Sequence, residues 1–170
     1  MAKGYYHRSF IILQSKDENF SITRGKDSAG YCKMEVKDDR CKMFLYVQDL
    51  KPQQDDGAGY DVFLVSADHV VPPKKIASIY TDERGRGECM LEININDIYQ
   101  SGYSLDQFHA LAVVYKGLEG IQYPLVGYAN KRVELDWVGR VKKDIIKFYD
   151  NSQTLSQSSR EDIPEQQIKT

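Results

Sequence analysis

The residues whose types and spacing most clearly suggest a chemical role form a glycine-rich basic loop, RGRG at positions 84–87. Such a loop binds phosphate when it follows a strand and opens a helix, because the helix N-terminus then faces the anion. Here the loop leads into ECMLEINI at 88–95, where apolar and polar residues alternate with the period of a strand. Residues 82–85 (DERG) are typical of a turn, since Asp bonds nearby backbone and Gly adopts positive φ. The sequence therefore predicts a hairpin-type turn here and not a phosphate site.

Other reactive residue types are dispersed along the chain. The three histidines, His7, His69 and His109, form no HxH or HxxxH pair, so no local pattern predicts a zinc or copper site. The carboxylate pairs at 38–39, 55–56 and 82–83 fall among turn formers, and no GxSxG motif occurs. We therefore expect no catalytic residue, no metal and no cofactor. A hydrolase site assembled from distant loops stays open as an alternative.

Composition and charge limit the partners and the compartment. A net charge of −2 provides no basic face of the kind that nucleic acid requires, so we expect no nucleic-acid partner. The longest apolar runs, at 10–13 and 110–114, are far shorter than the roughly 20 residues of a transmembrane segment. We expect cytoplasmic synthesis without a signal peptide. Cys32, Cys41 and Cys89 follow no CxxC spacing, and buried reduced thiols are favoured over one disulfide with a leftover thiol.

Short alternating segments separated by turn formers run through most of the chain. Residues 31–37 and 41–50 alternate around a two-residue turn, and 61–66 is apolar on both faces, as in a central strand. Further strands are expected at 5–14, 20–23, 75–81, 88–95, 109–115, 123–128 and 132–137, with helical turns in the crossover at 96–108. This pattern predicts an all-β domain at 1–137, an antiparallel β-sandwich of about eight strands and of immunoglobulin-like or Greek-key type.

The periodicity changes near residue 138. One stripe of apolar residues then recurs at helical spacing: Val138, Val141, Ile145, Phe148 and Tyr149. The sequence predicts an amphipathic C-terminal helix at 138–150, followed by a flexible polar tail at 151–170. The stripe either packs on its own sandwich or docks on another chain, and an anionic membrane is a third option.

Tyrosine is abundant, at 12 of 170 residues, and most tyrosines lie in or beside predicted strands. Phe44 and Tyr46 are out of phase with the apolar set formed by Met43, Leu45 and Val47, so both are expected to point outward. An outward aromatic pair is a candidate contact patch for a protein or a sugar ring.

Five segments together resemble an uncharacterised β-sandwich module of clostridial and other Firmicutes proteins, over about residues 8–128. They are GYCKMEVKDDRCKMFLYVQDLKP at 30–52, YDVFLVSAD at 60–68, IASIYTDERGRGECMLEIN at 76–94, YSLDQFHALAVV at 103–114 and YPLVGY at 123–128. In that pattern a strand ending V-x-x-L-x-P precedes Y-x-V-x-L, and a D-x-x-G-x-G hairpin follows. These are turn and core motifs, so the resemblance implies a fold and no enzymatic role.

The expected function is that of a non-catalytic structural or protein-interaction module. It would build a homo-oligomer or a larger bacterial assembly, a spore layer being one example, by burying Phe44, Tyr46 and the helix stripe against a protein partner or a second copy. One alternative is a β-sandwich that binds carbohydrate or another small ligand, with tyrosines as stacking platforms. The loop-assembled hydrolase is the other alternative.

Overall fold

Antiparallel strands form the body of the protein. The computed structural model describes residues 6–52, 59–68, 70–117, 120–129 and 141–150. The strands in these ranges are β1 (Tyr6–Ser15), β2 (Ala29–Lys37), β3 (Arg40–Gln48), β4 (Tyr60–Val65), β5 (Lys74–Ile79), β6 (Gly87–Asn94), β7 (Ala110–Gly117) and β8 (Gly120–Tyr128). Two 3-10 turns, Ile98–Gln100 and Leu105–Gln107, lie between β6 and β7, and residues 141–150 are α-helical. The predicted all-β class with a helix near the C-terminus is therefore confirmed.

The eight strands belong to one sheet, in the order β5-β4-β7-β8-β1-β2-β3-β6, and all neighbours are antiparallel. The two edge strands, β5 and β6, are consecutive in the chain, so their connection brings the two edges together. At the start of β6, a Cβ on Gly87 would lie 2.3 Å from the carbonyl oxygen of Tyr80, just after β5. The sheet is thus nearly closed into a barrel, which leaves little free edge for unwanted pairing.

The glycine-rich loop between β5 and β6 is a turn, as its sequence predicts. The carboxylate of Asp82 accepts hydrogen bonds from the backbone N–H groups of Arg84 (2.9 Å) and Arg86 (3.0 Å), and Gly85 has φ +78°. The backbone bonds, that of Arg86 first, lower the pKa of Asp82. The flanking strands nevertheless do not form the expected hairpin, because β5 pairs with β4 and β6 pairs with β3.

Alternation along β1, β2, β3 and β6 directs one side of each strand into the interior. The buried side chains of these strands are Ile11, Leu13, Cys32, Val36, Cys41, Met43, Leu45, Val47 and Ile93. The phase predicted for 31–37 and 41–47 is therefore confirmed. A slip of one residue in register would expose this whole set, so burial fixes the register.

The strand pattern differs from the prediction in one segment. Residues 20–23 form no strand, only an isolated bridge between Ser21 and Leu50. The strand predicted at 132–137, the helix residue Val138 and the tail at 151–170 lie outside the described residues.

The strands β4, β7 and β8 are buried on both sides. Their inward residues, among them Val62, Leu111 and Leu125, join the barrel core, while outward residues such as Phe63 and Tyr123 form a second core. Burial on both sides explains why residues 61–66 are apolar on both faces, as the sequence predicts for a central strand. Among the described helical segments, none has the length and apolar character needed to cross a membrane.

Candidate interaction surface

The outward sides of β4, β7 and β8 carry a layer formed by the 141–150 helix, and we call them the covered face. Val141 and Ile145 are 1% and 0% exposed and belong to the second core. The rings of Phe148 and Tyr149 lie 5.4 Å and 6.3 Å from that of Phe63, measured between centroids. These four residues of the predicted stripe thus contact the chain's own sheet, which is the first of the options that the sequence leaves open.

Polar contacts also hold the helix on the covered face. The Tyr149 hydroxyl donates a hydrogen bond to Asp61, whose carboxylate also accepts from Ser78 Oγ at 3.0 Å and lies 3.2 Å from Lys75 Nζ. Lys116 Nζ lies 4.8 Å from the centre of the Tyr149 ring, within the range of a cation–π contact. Burial, together with the bond to Asp61, raises the pKa of Tyr149 well above its usual value.

The outward sides of β1, β2, β3 and β6 form the opposite surface, which no other described element covers, and we call them the open face. Three large apolar side chains stand on it in contact with solvent: Phe10 is 56% exposed, Ile12 61% and Met90 73%. Phe44 and Tyr46 lie on this side of β3, in the orientation that alternation predicts, and both are half-buried. The predicted aromatic pair is thus part of a wider surface.

The strand register arranges the outward side chains of the open face in rows that cross the strands. Two rows consist mainly of apolar and aromatic residues, each with one charged member: Ile12-Tyr31-Tyr46-Glu88 and Phe10-Lys33-Phe44-Met90. The next row is charged and consists of Arg8-Glu35-Lys42-Glu92. A four-stranded surface with an apolar part and an adjoining charged row results.

Tyr31 is the centre of the aromatic cluster on the open face. Its ring centroid lies 6.2 Å from Phe10, 6.2 Å from Phe44 and 5.6 Å from Tyr46, all distances at which aromatic rings attract one another. Sequence reasoning missed Tyr31, Phe10 and Met90 as members of this surface. Their outward phase is readable within each strand, but the cross-strand register that joins them is not.

The charged row carries exposed ion pairs. Glu35 Oε1 lies 3.5 Å from both Arg8 Nη2 and Lys33 Nζ, and Arg40 Nε lies 3.6 Å from Glu92 Oε1. Such solvent-exposed pairs contribute little to folding, so these charges are free to serve another role. A depression of about 270 Å³ lies where this row meets the apolar part, lined by Lys33, Glu35, Lys42, Met43, Phe44 and Met90.

A second depression, of about 520 Å³, lies beside the connection from β1 to β2 and is lined largely by polar loop residues. Next to it, Asp49 lies 3.1 Å from Lys26 Nζ and accepts a hydrogen bond from Thr23 Oγ1 at 3.0 Å. The bond from Lys26 holds the pKa of Asp49 below its usual value. These contacts brace the loop against the end of β3.

Cys32, Cys41 and His109, whose side chains could take part in catalysis or bind metal, are buried or hydrogen-bonded within the fold. All three cysteines are free thiols, and burial raises the pKa of Cys32 to about 12 and that of Cys41 to about 11. His109 Nδ1 accepts a hydrogen bond from the backbone N–H of Ala67 at 2.9 Å. Across the part of the chain that the structure describes, no three or more His, Cys, Asp or Glu side chains group in a way that could hold a metal ion. His69 and the carboxylates at 55–56 lie outside that part.

Comparison of the chain with models of known protein families, with curated proteins and with solved structures finds no match. The resemblance to a clostridial module therefore stays a prediction.

Proposed function

We propose that this protein is a non-catalytic interaction module that binds a protein partner through the open face. The observation that carries the proposal is the exposure of Phe10, Ile12 and Met90 on one face of the sheet, where the rings of Tyr31 and Phe44 lie on the two strands between them. Contiguous apolar surface of this kind is rare on proteins that remain alone, and it marks sites of association.

The composition of the open face favours a protein over other partners. Aromatic residues, Met and Arg are enriched at protein interfaces, and this surface holds all of them, including Tyr31, Phe44 and Arg8. Its apolar residues are flanked on one side by the charged row, as an apolar interface core is flanked by a polar rim. The hydrogen-bonded sheet fixes the backbone of these residues before binding, so little backbone ordering entropy opposes association.

The setting of this module is also part of the proposal. An oligomer or a larger bacterial assembly, a spore layer included, would bury the open face permanently. The finer fold type, an immunoglobulin-like Greek-key sandwich, also stays a proposal, since one continuous sheet suits a flattened sandwich and a barrel alike.

Photo-crosslinking in the producing cell tests the function. The photoreactive residue benzoylphenylalanine replaces Phe10 on the open face or, as a control, Tyr80, which lies outside that face. The two side chains are similarly exposed, Phe10 at 56% and Tyr80 at 60%. We expect a discrete protein adduct from position 10 and none from position 80. The absence of any protein adduct from position 10 contradicts the proposal.

A second candidate is carbohydrate binding at the same face. The observation that favours it is the 270 Å³ depression, where Phe44 offers a ring for stacking and Lys33, Glu35 and Lys42 offer hydrogen-bonding groups. A glycan array tests this candidate. A glycan that binds the wild type and Tyr80→Ala but not Phe44→Ala would favour sugar over protein.

A further inference from the structure

The charges on the open face have an internal symmetry. From β1 to β6 the charged row consists of Arg8, Glu35, Lys42 and Glu92, so the charges are positive, negative, positive and negative in turn. Read in reverse, the same row begins with a negative charge and ends with a positive one. The row is therefore complementary to a reversed copy of itself, and the centre of the reversal lies between β2 and β3.

We propose that the partner at the open face is a second copy of this chain, related by a two-fold axis that runs between β2 and β3, parallel to the strands. This inference rests on the proposed function, because it requires a protein at that face. Two-fold contacts, in which both copies use the same surface, are the commonest in homo-oligomers. Two sheets also pack well face to face, about 10 Å apart with their strands nearly aligned.

The axis brings opposite charges together along the whole charged row. Arg8 faces Glu92 of the second copy, and Glu35 faces Lys42 of the second copy, each twice by symmetry. An axis across the strands does not achieve this, because it places Arg8 against Arg8 or sets the charged row against the aromatic row. Complementary charges fix the register of an association, and like charges exclude the alternatives.

The same axis brings the apolar groups of the two copies together. Tyr31 faces Tyr46 of the second copy, and Phe10 faces Met90 of the second copy, so aromatic and thioether groups leave water on both sides. Lys33 faces Phe44 of the second copy, in an arrangement suited to a cation–π contact.

The size of the open face suits a weak to moderate dimer. Laid flat, four strands about 4.8 Å apart and about nine residues long would span about 600 Å². The curvature of the nearly closed barrel reduces the area that a second copy can contact, so the buried area falls below the ~800 Å² that each partner buries in a standard interface. Two unfavourable juxtapositions, Ile12 with Glu88 and Lys37 with Arg40, fall at the margin of the face. There the long charged side chains reach solvent.

Sedimentation equilibrium with complementary charge reversals tests the inference. The full chain is measured as wild type, as Glu35→Lys, as Lys42→Glu and as an equimolar mixture of the two variants. Each variant alone sets two pairs of like charges against each other across the axis, so we expect at least ~10-fold weaker self-association. In the mixture every such pair is opposite in sign, so the two variants should associate with each other as the wild type does with itself.

Two controls keep the result interpretable. Lys143→Glu reverses an exposed charge on the 141–150 helix and should leave association unchanged. In the double variant Glu35→Lys/Lys42→Glu, position 35 of one copy again faces an opposite charge at position 42 of the other, so it should associate as the wild type does. Circular dichroism establishes that each variant is folded.

The possible outcomes separate this inference from the proposed function. A wild type that stays at 19.5 kDa at all concentrations overturns the second copy. If both single charge reversals associate as strongly as the wild type, or if the mixture stays monomeric, the proposed two-fold register is wrong. A monomer that still gives a photo-adduct with a different protein at Phe10 retains the module but contradicts self-association.

Discussion

The covered face and the open face come from the same alternation of inward and outward side chains, but they meet different surroundings. On β4 the outward Phe63 is 0% exposed, because Phe148 and Tyr149 of the helix lie against it. On β1 the outward Phe10 is 56% exposed, although it too lies beside an aromatic ring, that of Tyr31. An outward aromatic residue is therefore a core residue or a contact residue according to whether the chain supplies a second layer above it.

Removing an outward phenylalanine from each face gives the largest expected contrast. Phe63→Ala leaves a cavity in the second core and should lower the free energy of unfolding by about 3–5 kcal/mol. Phe10→Ala removes a ring that is mostly in water and should cost less than about 1 kcal/mol. Urea unfolding of the monomer measures both. Equal losses would contradict the distinction between the two faces.

Two adjacent isoleucines sharpen the comparison within the helix. Ile145 is 0% exposed and Ile146 is 42% exposed, so the two differ in burial and not in chemistry. Ile145→Ala should cost about 2–4 kcal/mol, whereas Ile146→Ala should cost about 0.5 kcal/mol. Thermal and urea unfolding provide the measurement. A helix that left the sheet in solution would make the two costs equal and small.

The sequence predicts local structure well where one side of a strand is buried. The phase of Cys41, Met43, Leu45 and Val47 is readable because burial on one side imposes a period of two. The helix stripe is readable for the same reason, at a period near 3.6. The turn at 38–39 and the loop at 82–86 follow from Asp and Gly, whose conformational preferences are local.

Long-range pairing could not be predicted from the sequence. The order of strands places β5 and β6 at opposite edges of the sheet, although they are neighbours in the chain. The aromatic cluster around Tyr31 depends on the register of β2 against β1 and β3, which no local pattern encodes. The prediction of a strand at 20–23 was also wrong. These residues are of strand-forming types, but they pair with the rest of the sheet only through the single bridge between Ser21 and Leu50.

The hydroxyl of Tyr149 offers a smaller test of the covered face. Tyr149→Phe removes the hydrogen bond to Asp61 but keeps the ring against Phe63, so we expect a loss of about 1 kcal/mol in the free energy of unfolding at pH 7. Asp61 keeps its contacts with Ser78 and Lys75, which limits the loss. A loss equal to that of Phe63→Ala would contradict this reading.

The raised pKa of Tyr149 adds a dependence on pH. Below about pH 10 the tyrosine holds its proton in both the folded and the unfolded state, so its ionisation does not affect stability. As the pH rises above about 10, the unfolded chain releases the proton and the folded chain does not, so the free energy of unfolding falls. Urea unfolding between pH 9 and pH 11 should show a shallower decline for Tyr149→Phe than for the wild type. Parallel declines would contradict the contact of this hydroxyl with Asp61 between the helix and the sheet.

The smallest expected effect on stability concerns the open face. Phe10→Ser combined with Met90→Ser should change the free energy of unfolding of the monomer by less than about 1 kcal/mol, because both side chains are largely in water. The same change should abolish association in sedimentation experiments, because it removes the apolar contacts of the open face. Loss of folding in this variant would show that the face is a structural core.

Hydroxyl-radical footprinting at increasing protein concentration tests the central claim most directly, because it reads the exposure of both faces in one sample. We expect Phe63 and Tyr123, both fully buried on the covered face, to be protected at every concentration, while Met90 and Phe10 are modified rapidly when dilute and become protected as the protein associates. Tyr80 should be modified at one rate throughout. Rapid modification of Met90 at all concentrations in an associated sample, or of Phe63 in a dilute one, would contradict it.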